Sequence, residues 1–377
     1  MSEEPGPEAQ ALLARAELIA RRLVADEGEG AEEAALLSQS CLASQPPLPG
    51  RARSDGCRRF VENFGRHSRG FYGPAADLLV SALGIGTNRG ADDDATDLAY
   101  VRAVRAALQG GVNLIDTAIN YRRQRSERAV GAALRLFIAG HPGTREGVVV
   151  CSKGGFLVPG VDSPQALPAD EVAGRSHCLH PAFLAEQINR SRRNLGLETI
   201  DVYLLHNPDF QLQFVTPAVL TRRLRAAFEL LEGAVAEGSI GRYGIATWHG
   251  FRHGALSLRQ LEATAVEVAG DGHHLRFLEL PFNLGRREAL TERREAGDTV
   301  LEVATELGIA VLASAALGRG RPDAVPPAHR GLATDAQRAI QAVRSTPGIA
   351  AALVGMRQVA HVAENLSVAR VHPNRSR

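Results

Sequence analysis

Short apolar segments and longer amphipathic segments alternate eight times along the chain, from about residue 79 to the end of the sequence. Short apolar runs are typical of strands that are buried on both faces, and the amphipathic runs between them have the period of helices. Predicted strands cover residues 80–83, 113–116, 147–152, 199–205, 240–246, 277–281, 310–313 and 351–354. Predicted helices cover residues 95–109, 126–139, 181–195, 218–237, 257–268, 299–307, 334–343 and 358–369. This alternation favours a sheet of parallel strands connected by helical crossovers.

Eight strand and helix units within about 300 residues predict an α/β protein with the (β/α)₈ architecture of a TIM barrel. The competing topology is an open, doubly wound sheet, which usually carries a Gly-x-Gly-x-x-Gly turn after its first strand. Residues 84–87 of this chain, Gly-Ile-Gly-Thr, lack the third glycine of that turn. We therefore expect one barrel that spans residues 76–377.

The first 75 residues do not follow this alternation. A segment rich in Ala, Leu and Arg at 7–25 has the composition of a helix, and an acidic segment separates it from a Pro-rich stretch at 45–50. Clusters of proline and glycine of this kind are typical of linkers. Residues 1–75 are therefore predicted to form an N-terminal extension of helical and linker-like character. The sequence leaves open whether this extension packs over the barrel floor or moves freely.

Acidic and basic residues are nearly balanced, with 43 Lys and Arg against 42 Asp and Glu and a formal net charge of +1. Such a chain has no overall field for binding nucleic acid or an anionic membrane. No apolar run reaches the roughly 20 residues of a membrane-spanning helix, and the N-terminus carries acidic residues instead of a basic targeting signal. We expect a cytoplasmic protein that acts on a small molecule. Its four cysteines form no Cys-x-x-Cys pair and are expected to be free thiols, and the oligomeric state is not indicated.

Lys153 is the only lysine in the sequence, and every other basic residue is an arginine. Two explanations are open at this point. The lysine is either a chance survivor of a drift toward arginine, or it occupies a small buried site that needs a compact ammonium group on a flexible stem. The residues around it favour the second explanation.

Polar residues that follow the apolar runs are the candidates for an active site, since the catalytic groups of a TIM barrel lie at the carboxyl ends of its strands. Asp116 ends the second run, and Tyr121 lies five residues beyond it. Lys153 follows the third run, and His206 ends the fourth. A tyrosine is a poor acid at neutral pH unless a nearby cation stabilises its phenolate. We expect Lys153 to supply that cation, Asp116 to keep the ammonium charged and oriented, and His206 to donate a hydrogen bond to a substrate oxygen or to the tyrosine.

Taken one at a time, these residues have ordinary alternatives. Asp116 alone fits a helix N-cap or an ion-pair residue, Tyr121 alone fits a surface aromatic residue, and His206 alone fits a structural histidine. Their joint placement at the ends of adjacent strands is what favours catalysis. A carbonyl oxygen held among them would be polarised and protonated as hydride arrives at the carbon, so the pattern indicates carbonyl reduction.

Residues 111–121 resemble the signature of the aldo-keto reductase family, in which an aspartate and a tyrosine lie five positions apart. Residues 148–153 look like the third strand of that family with its lysine, and residues 200–206 look like the fourth strand with its histidine. The resemblance extends from about residue 80 to 370. It implies reversible, NADP(H)-dependent reduction of an aldehyde or ketone to an alcohol, with the four residues above as the catalytic tetrad.

The same resemblance indicates which residues bind NADP(H), with NAD(H) as the alternative cofactor. The segment after the fifth strand, with Thr247 and Trp248, is similar to the part of the family that holds the nicotinamide carboxamide. The segment after the eighth strand is similar to the part that binds the adenosine phosphate and adenine, and its candidates are Gly355, Arg357, Glu364 and Asn365. A helix that begins directly after a strand offers free N–H groups and its positive dipole end to a phosphate, and an arginine adds a charge-assisted hydrogen bond.

Three positions depart from the family pattern. Glu279 stands where many members place a glutamine under the nicotinamide ring, and Ser314 stands where many stack a tyrosine on that ring. Both positions are still candidates for cofactor binding. An ionised Glu279 would favour the positively charged, oxidised ring and hence the dehydrogenase direction. Asn207 stands where a tryptophan is frequent after the histidine, which removes one common wall of the substrate pocket.

Two further segments have open interpretations. Four arginines cluster just after the candidate tyrosine, namely Arg122, Arg123, Arg125 and Arg128. The cluster fits either a solvated helix start or a patch that steers an anionic substrate or the cofactor phosphates toward the site. Residues 154–180 form a long connection that fits either a substrate lid or a plain surface insertion. The His and Cys residues in this connection lack a fourth ligand at a recognised spacing, so no metal site is expected.

Two other functions stay open. A single lysine at a barrel strand end is also how Schiff-base aldolases and lyases form their imine, and the aspartate five residues before a tyrosine argues against that chemistry. The departures at Glu279 and Ser314, together with the N-terminal extension, are compatible with a non-catalytic cofactor-binding subunit or sensor. Turnover would exclude the sensor.

Overall fold

The computed structural model describes residues 45–318, 329 and 331–373. The helix predicted at 7–25 lies outside these residues, as does Cys41. The three cysteines within them, Cys57, Cys151 and Cys178, are buried free thiols. In this part of the chain, no helix combines the length and the apolar character that spanning a bilayer requires.

Eight parallel strands close into a barrel. In chain order the described residues form strands β1 to β12, which are Tyr72–Ala75, Leu78–Ser81, Leu83–Gly86, Leu114–Asp116, Val149–Gly154, Val172–Ala173, His177–Cys178, Ile200–His206, Ile240–Ala246, Leu275–Pro281, Ala310–Ser314 and Ile349–Gly355. The barrel uses β3, β4, β5, β8, β9, β10, β11 and β12 in that order, and β12 pairs back onto β3. The (β/α)₈ fold predicted from the alternation is confirmed.

Helices follow the barrel strands and cover the outside. The α-helices of the described residues, α1 to α10, are Ser54–Glu62, Asp94–Gln109, Arg125–Gly140, Pro181–Leu195, Pro217–Ala236, Leu258–Ala269, Glu288–Thr291, Val300–Glu306, Asp335–Arg344 and Val359–Asn365. Local sequence sets several of their ends. Thr299 and Thr334 form capping boxes at the starts of α8 and α9, and Gly196 ends α4 in the left-handed conformation (φ 61°).

The strands are apolar on both faces because both faces are covered. Val149 and Cys151 of β5 belong to the cluster that fills the barrel, whereas Val148 and Val150 pack toward the surrounding helices. The register of the parallel ladder then sets Asp116 of β4 directly beside Cys151. Polar side chains at the carboxyl ends of β4, β5 and β8 are thereby brought to one rim.

The described part of the predicted extension packs on the barrel. Leu48 bridges to Leu197, and the backbone N–H of Ala52 donates to the carboxylate of Asp201, 2.5 Å away. The antiparallel hairpin of β1 and β2 adds its apolar residues to the cluster inside the barrel. The predicted boundary between residues 75 and 76 falls in the turn of this hairpin, and the division into 1–75 and 76–377 stays a proposal.

One predicted strand is wrong in its bounds. Residues 80–83 were expected to form the first barrel strand, but they straddle the end of β2 and the start of β3. Apolar residues occupy most positions from Leu78 to Ile85, and one polar residue, Ser81, is too weak a signal to predict the break. The break is made by tertiary hydrogen bonds, since the Asn113 side chain accepts from the backbone N–H of Ser81, 2.7 Å away.

Candidate active site

A cavity of about 530 Å³ opens at the carboxyl ends of the barrel strands. Asp116 is the last residue of β4, Lys153 lies near the end of β5, and His206 is the last residue of β8. Tyr121 begins a 3₁₀ turn that follows β4. Asp116, Tyr121 and His206 line the cavity, and Lys153 lies directly behind the tyrosine, fully buried. The structure therefore brings together all four residues that the sequence nominated as catalytic.

Lys153 is the centre of the polar contacts in this group. Its ammonium donates to the carboxylate of Asp116, to the carbonyl of Thr117 at 3.0 Å and to the hydroxyl of Tyr121 at 3.3 Å. Burial alone would lower the pKa of Lys153, but the facing carboxylates raise it well above its ordinary value. The lysine is therefore a fixed positive charge and not a free amine.

The acidity of Tyr121 differs from the sequence-based expectation. Burial raises the pKa of the phenol well above its ordinary value, and the Lys153 ammonium lowers that pKa only in part. The carboxylates of Asp116 and Glu279 raise it further. The prediction that the lysine makes the tyrosine a stronger acid than usual is thus wrong for the protein alone, because burial, the largest contribution, outweighs the effect of one ammonium. The phenol carries its proton at neutral pH, as a general acid must.

His206 is a neutral imidazole. Burial lowers the pKa of His206 well below its ordinary value, and the nearby Lys153 ammonium lowers it further. The ring of Tyr121 meets it edge to face, with the ring centroids 5.7 Å apart. Its Nδ1 atom is buried and has no hydrogen-bond partner among the described residues. A neutral imidazole beside the phenol is suited to a hydrogen bond with an uncharged substrate oxygen.

Glu279 is a second carboxyl group against the same ammonium. Its Oε2 atom lies 3.3 Å from the Lys153 amine, which is within the distance of an ion pair. The angle between the two groups is unsuitable for a hydrogen bond. Burial raises the pKa of Glu279 from 4.5 to about 8, and the Asp116 carboxylate contributes to the rise. The ionised form, on which the dehydrogenase interpretation depended, is therefore not the main form at neutral pH. One lysine neutralises one carboxylate, and the other carboxyl group keeps its proton.

The family model of the aldo/keto reductases matches residues 82–324. This chain belongs to the aldo/keto reductase family. Among curated relatives it is 25% identical to a 6-dehydroglucose reductase of Novosphingobium aromaticivorans, over 79% of this chain and 89% of that protein. It is 30% identical to a D-threo-aldose 1-dehydrogenase of a Pseudomonas species, over 45% of this chain and 51% of that protein. It is also 30% identical to an NADH-specific methylglyoxal reductase of Escherichia coli, over 34% of this chain and 39% of that protein.

Solved structures of the family share the fold of this chain. An aldo/keto reductase from Klebsiella pneumoniae, in complex with NADP and acetate, superposes with a TM-score of 0.56 at 23% identity. That match covers 79% of this chain and 88% of the other. A glycerol dehydrogenase from Gluconobacter oxydans gives a TM-score of 0.55 at 23% identity, over 80% of this chain and 90% of the other. At these identities the likeness establishes the barrel and not the substrate. The family predicted from the sequence is confirmed.

The residues predicted to bind the cofactor fall into two groups in this aldo/keto reductase. One group lines the same cavity as the tetrad, and it consists of Thr247, Trp248, Glu279, Ser314 and Gly355. The hydroxyl of Thr247 is already engaged, since it donates to Asp209 and accepts from the N–H of Gly250 at 2.8 Å. Trp248 carries the guanidinium of Arg286 over its ring, 5.3 Å from the centroid.

The second group lies off the cavity wall. Glu364 accepts from the Thr334 hydroxyl at 2.7 Å and so holds α9 against α10. Asn365 is buried, and its Oδ1 atom has no partner among the described residues. The guanidinium of Arg357 lies next to Gly90. Its Nη1 atom is 3.1 Å from the point that a Cβ atom would occupy if residue 90 had a side chain. Of these three residues, only Arg357 is near the cavity rim, and Glu364 is committed to helix packing.

The structure adds cavity residues that the sequence reasoning missed. The wall also includes Asn88, Arg89, Asn120 and Phe156. It includes Asn207 as well, which the sequence had marked only as the loss of a tryptophan wall. Arg89 is exposed, and neither it nor Arg357 forms an ion pair with any described residue. Asn120 and Asn207 each adjoin a tetrad residue in the sequence, which is the signal that could have found them. Arg89 and Phe156 come from loops after β3 and β5, and no local pattern marks them.

Neither interpretation fits Arg122 and Arg125 of the arginine cluster. Arg122 and Arg125 have nearly buried side chains, and both pair with Asp97 of α2, at 2.6 Å in each case. Arg123 is exposed and lies 3.3 Å from Asp92. Because acidic residues neutralise Arg122, Arg123 and Arg125, these three arginines do not form a free patch for steering anions. The sequence offered no way to see the pairing, since the acids lie some 25 to 30 positions earlier.

The long connection at 154–180 is tied to the barrel. It contains the β6 and β7 hairpin, and the fully buried His177 at the start of β7 donates from Nε2 to the carbonyl of His206, 2.8 Å away. The Gln211 amide donates to Nδ1 of the same ring at 3.2 Å. Arg223 of α5 pairs with Glu171 at 2.9 Å. These contacts favour a fixed wall of the cavity over a moving lid.

Proposed function

We propose that this aldo/keto reductase catalyses reversible, NADP(H)-dependent reduction of an aldehyde or ketone to an alcohol, with Tyr121 as the general acid and base. The observation that carries the proposal is the Tyr121 hydroxyl on the cavity wall, 3.3 Å from the Lys153 ammonium, which itself donates to Asp116. A protonated phenol next to a fixed positive charge can give its proton to an oxygen that becomes negative.

Each residue of the tetrad has a separate task. Tyr121 donates its proton to the carbonyl oxygen, and NADPH, when bound, supplies the hydride to the carbon. Lys153 stabilises the phenolate that is left, because a buried ammonium interacts strongly with a neighbouring anion in a site with little water. Asp116 keeps that ammonium in place. His206, as a neutral imidazole, orients the carbonyl oxygen toward the phenol.

The cavity fits a nucleotide with phosphate groups. Arg89 and Arg357 flank Gly90 and Gly355 at the rim, and neither is neutralised by a carboxylate among the described residues. Free guanidinium groups are the usual partners of phosphate oxygens. Deeper in the cavity, Glu279 in its protonated form offers both a donor and an acceptor to a carboxamide or ring. The Klebsiella relative binds NADP and the Escherichia coli relative is specific for NADH, so both cofactors belong in the assay.

The test is turnover with the purified chain. Aldoses, methylglyoxal and simple aldehydes and ketones are supplied with NADPH or NADH, and loss of the reduced nicotinamide absorbance is followed. We expect reduction of at least one carbonyl class and its loss in Tyr121→Phe. Binding of NADPH without turnover of any substrate in either direction would favour the non-catalytic sensor.

A Schiff-base lyase is the other candidate, and the state of Lys153 weighs against it. An imine forms only from a neutral amine, whereas two carboxyl groups surround this lysine and raise its pKa. Borohydride trapping of a substrate on Lys153 would favour the lyase. Absence of trapping, together with turnover of NADPH, would favour the reductase.

A further inference from the structure

The backbone directly after Tyr121 has an unusual conformation. Arg122, Arg123 and Gln124 have φ values of 48°, 50° and 73°, which are all in the left-handed region. Residues with a side chain adopt this region rarely, and here three do so in succession without a glycine. Such a turn persists only where the surrounding structure holds it. Because Tyr121 begins this turn, whatever holds the turn also sets the place of the phenol.

The side chain of Arg122 connects the turn to the start of α2. It is 2% exposed, and its Nη2 atom lies 2.6 Å from the carboxylate of Asp97, which is 1% exposed. Its Nε donates to the carbonyl of Ala91 at 2.7 Å, and Nη2 also donates to the carbonyl of Asp93 at 3.1 Å. The guanidinium carbon lies 5.5 Å from the centroid of the Tyr100 ring. A planar fork with several donors is needed to make all of these contacts at once.

These contacts join two parts of the cavity rim. The Tyr100 hydroxyl donates to the carbonyl of Arg89 at 2.6 Å, so the loop after β3 is held to the same helix that binds Arg122. None of the partners of the Arg122 guanidinium belongs to the tetrad. On the far side of the turn, the Gln124 side chain accepts from Asn194 at 3.1 Å. Side-chain contacts therefore hold both ends of the turn. The buried contacts of Arg122 hold the end next to Tyr121, and the contact between Gln124 and Asn194 holds the other end.

We infer that Arg122, through its buried ion pair with Asp97, is a positioning residue that keeps the left-handed turn in the form that sets the Tyr121 phenol beside the Lys153 ammonium. The inference rests on the proposed role of Tyr121 as the proton donor. It gives Arg122, the first arginine of the cluster, a structural role that differs from both earlier interpretations, solvation and anion steering. Removal of the fork lets the turn relax, and the phenol then moves away from the ammonium.

The kinetic test compares Arg122→Met with Arg123→Met. Both substitutions remove a positive charge from the same left-handed turn, but Arg123 is exposed, and its one ion-pair partner among the described residues is the exposed Asp92. We expect Arg122→Met to lower kcat by about 100-fold, since a misplacement of about 1 Å has an effect of that size. Arg123→Met should stay within a few-fold of the wild type. Because Arg122 also lines the cavity, a raised KM with unchanged kcat would overturn the inference and make Arg122 a substrate contact.

A double mutant shows whether Arg122 acts through the phenol. In the Tyr121→Phe background, Arg122→Met should produce no further loss of kcat, and a full additional loss would contradict the inference. Arg122→Lys keeps the charge but not the fork, and we expect it to lose kcat as Arg122→Met does. If Arg122→Met does not fold, Arg122→Lys replaces it in the kinetic comparison with Arg123→Met and in the double mutant with Tyr121→Phe.

Spectroscopy separates this inference from the proposed function. The chain has five tyrosines, so a sample labelled with ¹³C at the tyrosine Cζ gives few signals, and Tyr121→Phe identifies the one from Tyr121. We expect Arg122→Met, but not Arg123→Met, to move that signal and its titration with pH. An unmoved Tyr121 signal would refute the positioning role. This result does not depend on turnover, so it stands even where the proposed reaction fails.

Discussion

Glu279→Gln replaces a buried carboxyl group with an amide of nearly the same shape, and it removes one ionisable proton from the site. Glu279 is 6% exposed and faces an ammonium that Asp116 already neutralises. With Glu279 protonated, the buried group of Asp116, Lys153 and Glu279 has no net charge. With Glu279 ionised it has a charge of −1 with little water around it, which is costly. The free energy of unfolding should therefore depend on pH through this residue.

The structure gives the size and the sign of that dependence. The pKa of Glu279 is about 8 in the folded protein against 4.5 for an ordinary glutamate, a difference that corresponds to about 5 kcal/mol. The folded state holds this proton more tightly than the unfolded state does. Its contribution to stability is therefore complete below pH 4.5 and is lost as the pH rises toward 8, at about 1.4 kcal/mol per pH unit. Between about pH 6 and pH 8 the loss is about 2.5 kcal/mol.

Guanidinium unfolding at several values between about pH 6 and pH 9 measures this effect. The difference in free energy of unfolding between Glu279→Gln and the wild type isolates one residue, because all other titrating groups are common to both. We expect this difference to grow in favour of the glutamine by about 2.5 kcal/mol from pH 6 to pH 8 and then to level off. Glu237→Gln, at the exposed end of α5, is the matched control and should show no such trend. A difference that stays constant across this range would mean that Glu279 is ionised throughout, and the charge argument would fail.

Three further variants test the proposed site. Tyr121→Phe should lower kcat for carbonyl reduction by about 100-fold or more while the Kd for NADPH, from fluorescence quenching, changes only a few-fold; turnover near that of the wild type would assign the proton to another group. Lys153→Arg keeps the charge, but we expect a severe loss of kcat because a larger, forked group does not fit a fully buried position; wild-type kinetics would show that a compact ammonium is not required. Arg357→Ala should raise KM for NADPH much more than KM for NADH, and equal changes for both cofactors would remove its phosphate-binding role.

The tetrad was accessible from the sequence because each residue lies at a fixed distance from a strand end. Asp116 and His206 end β4 and β8, and parallel strands deliver their ends to one rim. Lys153 stood out as the single lysine among many arginines. Because these features are local in the sequence, periodicity and spacing are sufficient to identify the four residues. The bounds of β9 and α4 were predicted to the residue for the same reason.

The electrostatics of the site were not accessible in this way. The sequence predicted an acidified Tyr121, and this prediction fails because burial raises the pKa of the phenol. The sequence left the ionisation of Glu279 open, and burial raises the pKa of that carboxyl group as well. A pKa depends on distance and exposure in three dimensions, and neither is a property of a sequence window. The hairpin of β1 and β2 was missed for a related reason, since the break between β2 and β3 involves a hydrogen bond to the distant Asn113 side chain.

The barrel, the family and the four residues at its rim could all be predicted from the amino-acid sequence, because they follow from repeating patterns and from spacing to strand ends. The tertiary structure decided which charges are paired and which carboxyl group keeps a proton. It also decided that Arg122 is a buried link to Asp97 and not a solvated surface residue. Pairing of residues far apart in the chain is set by packing, and the same packing fixes the dielectric surroundings that give each charge its energy.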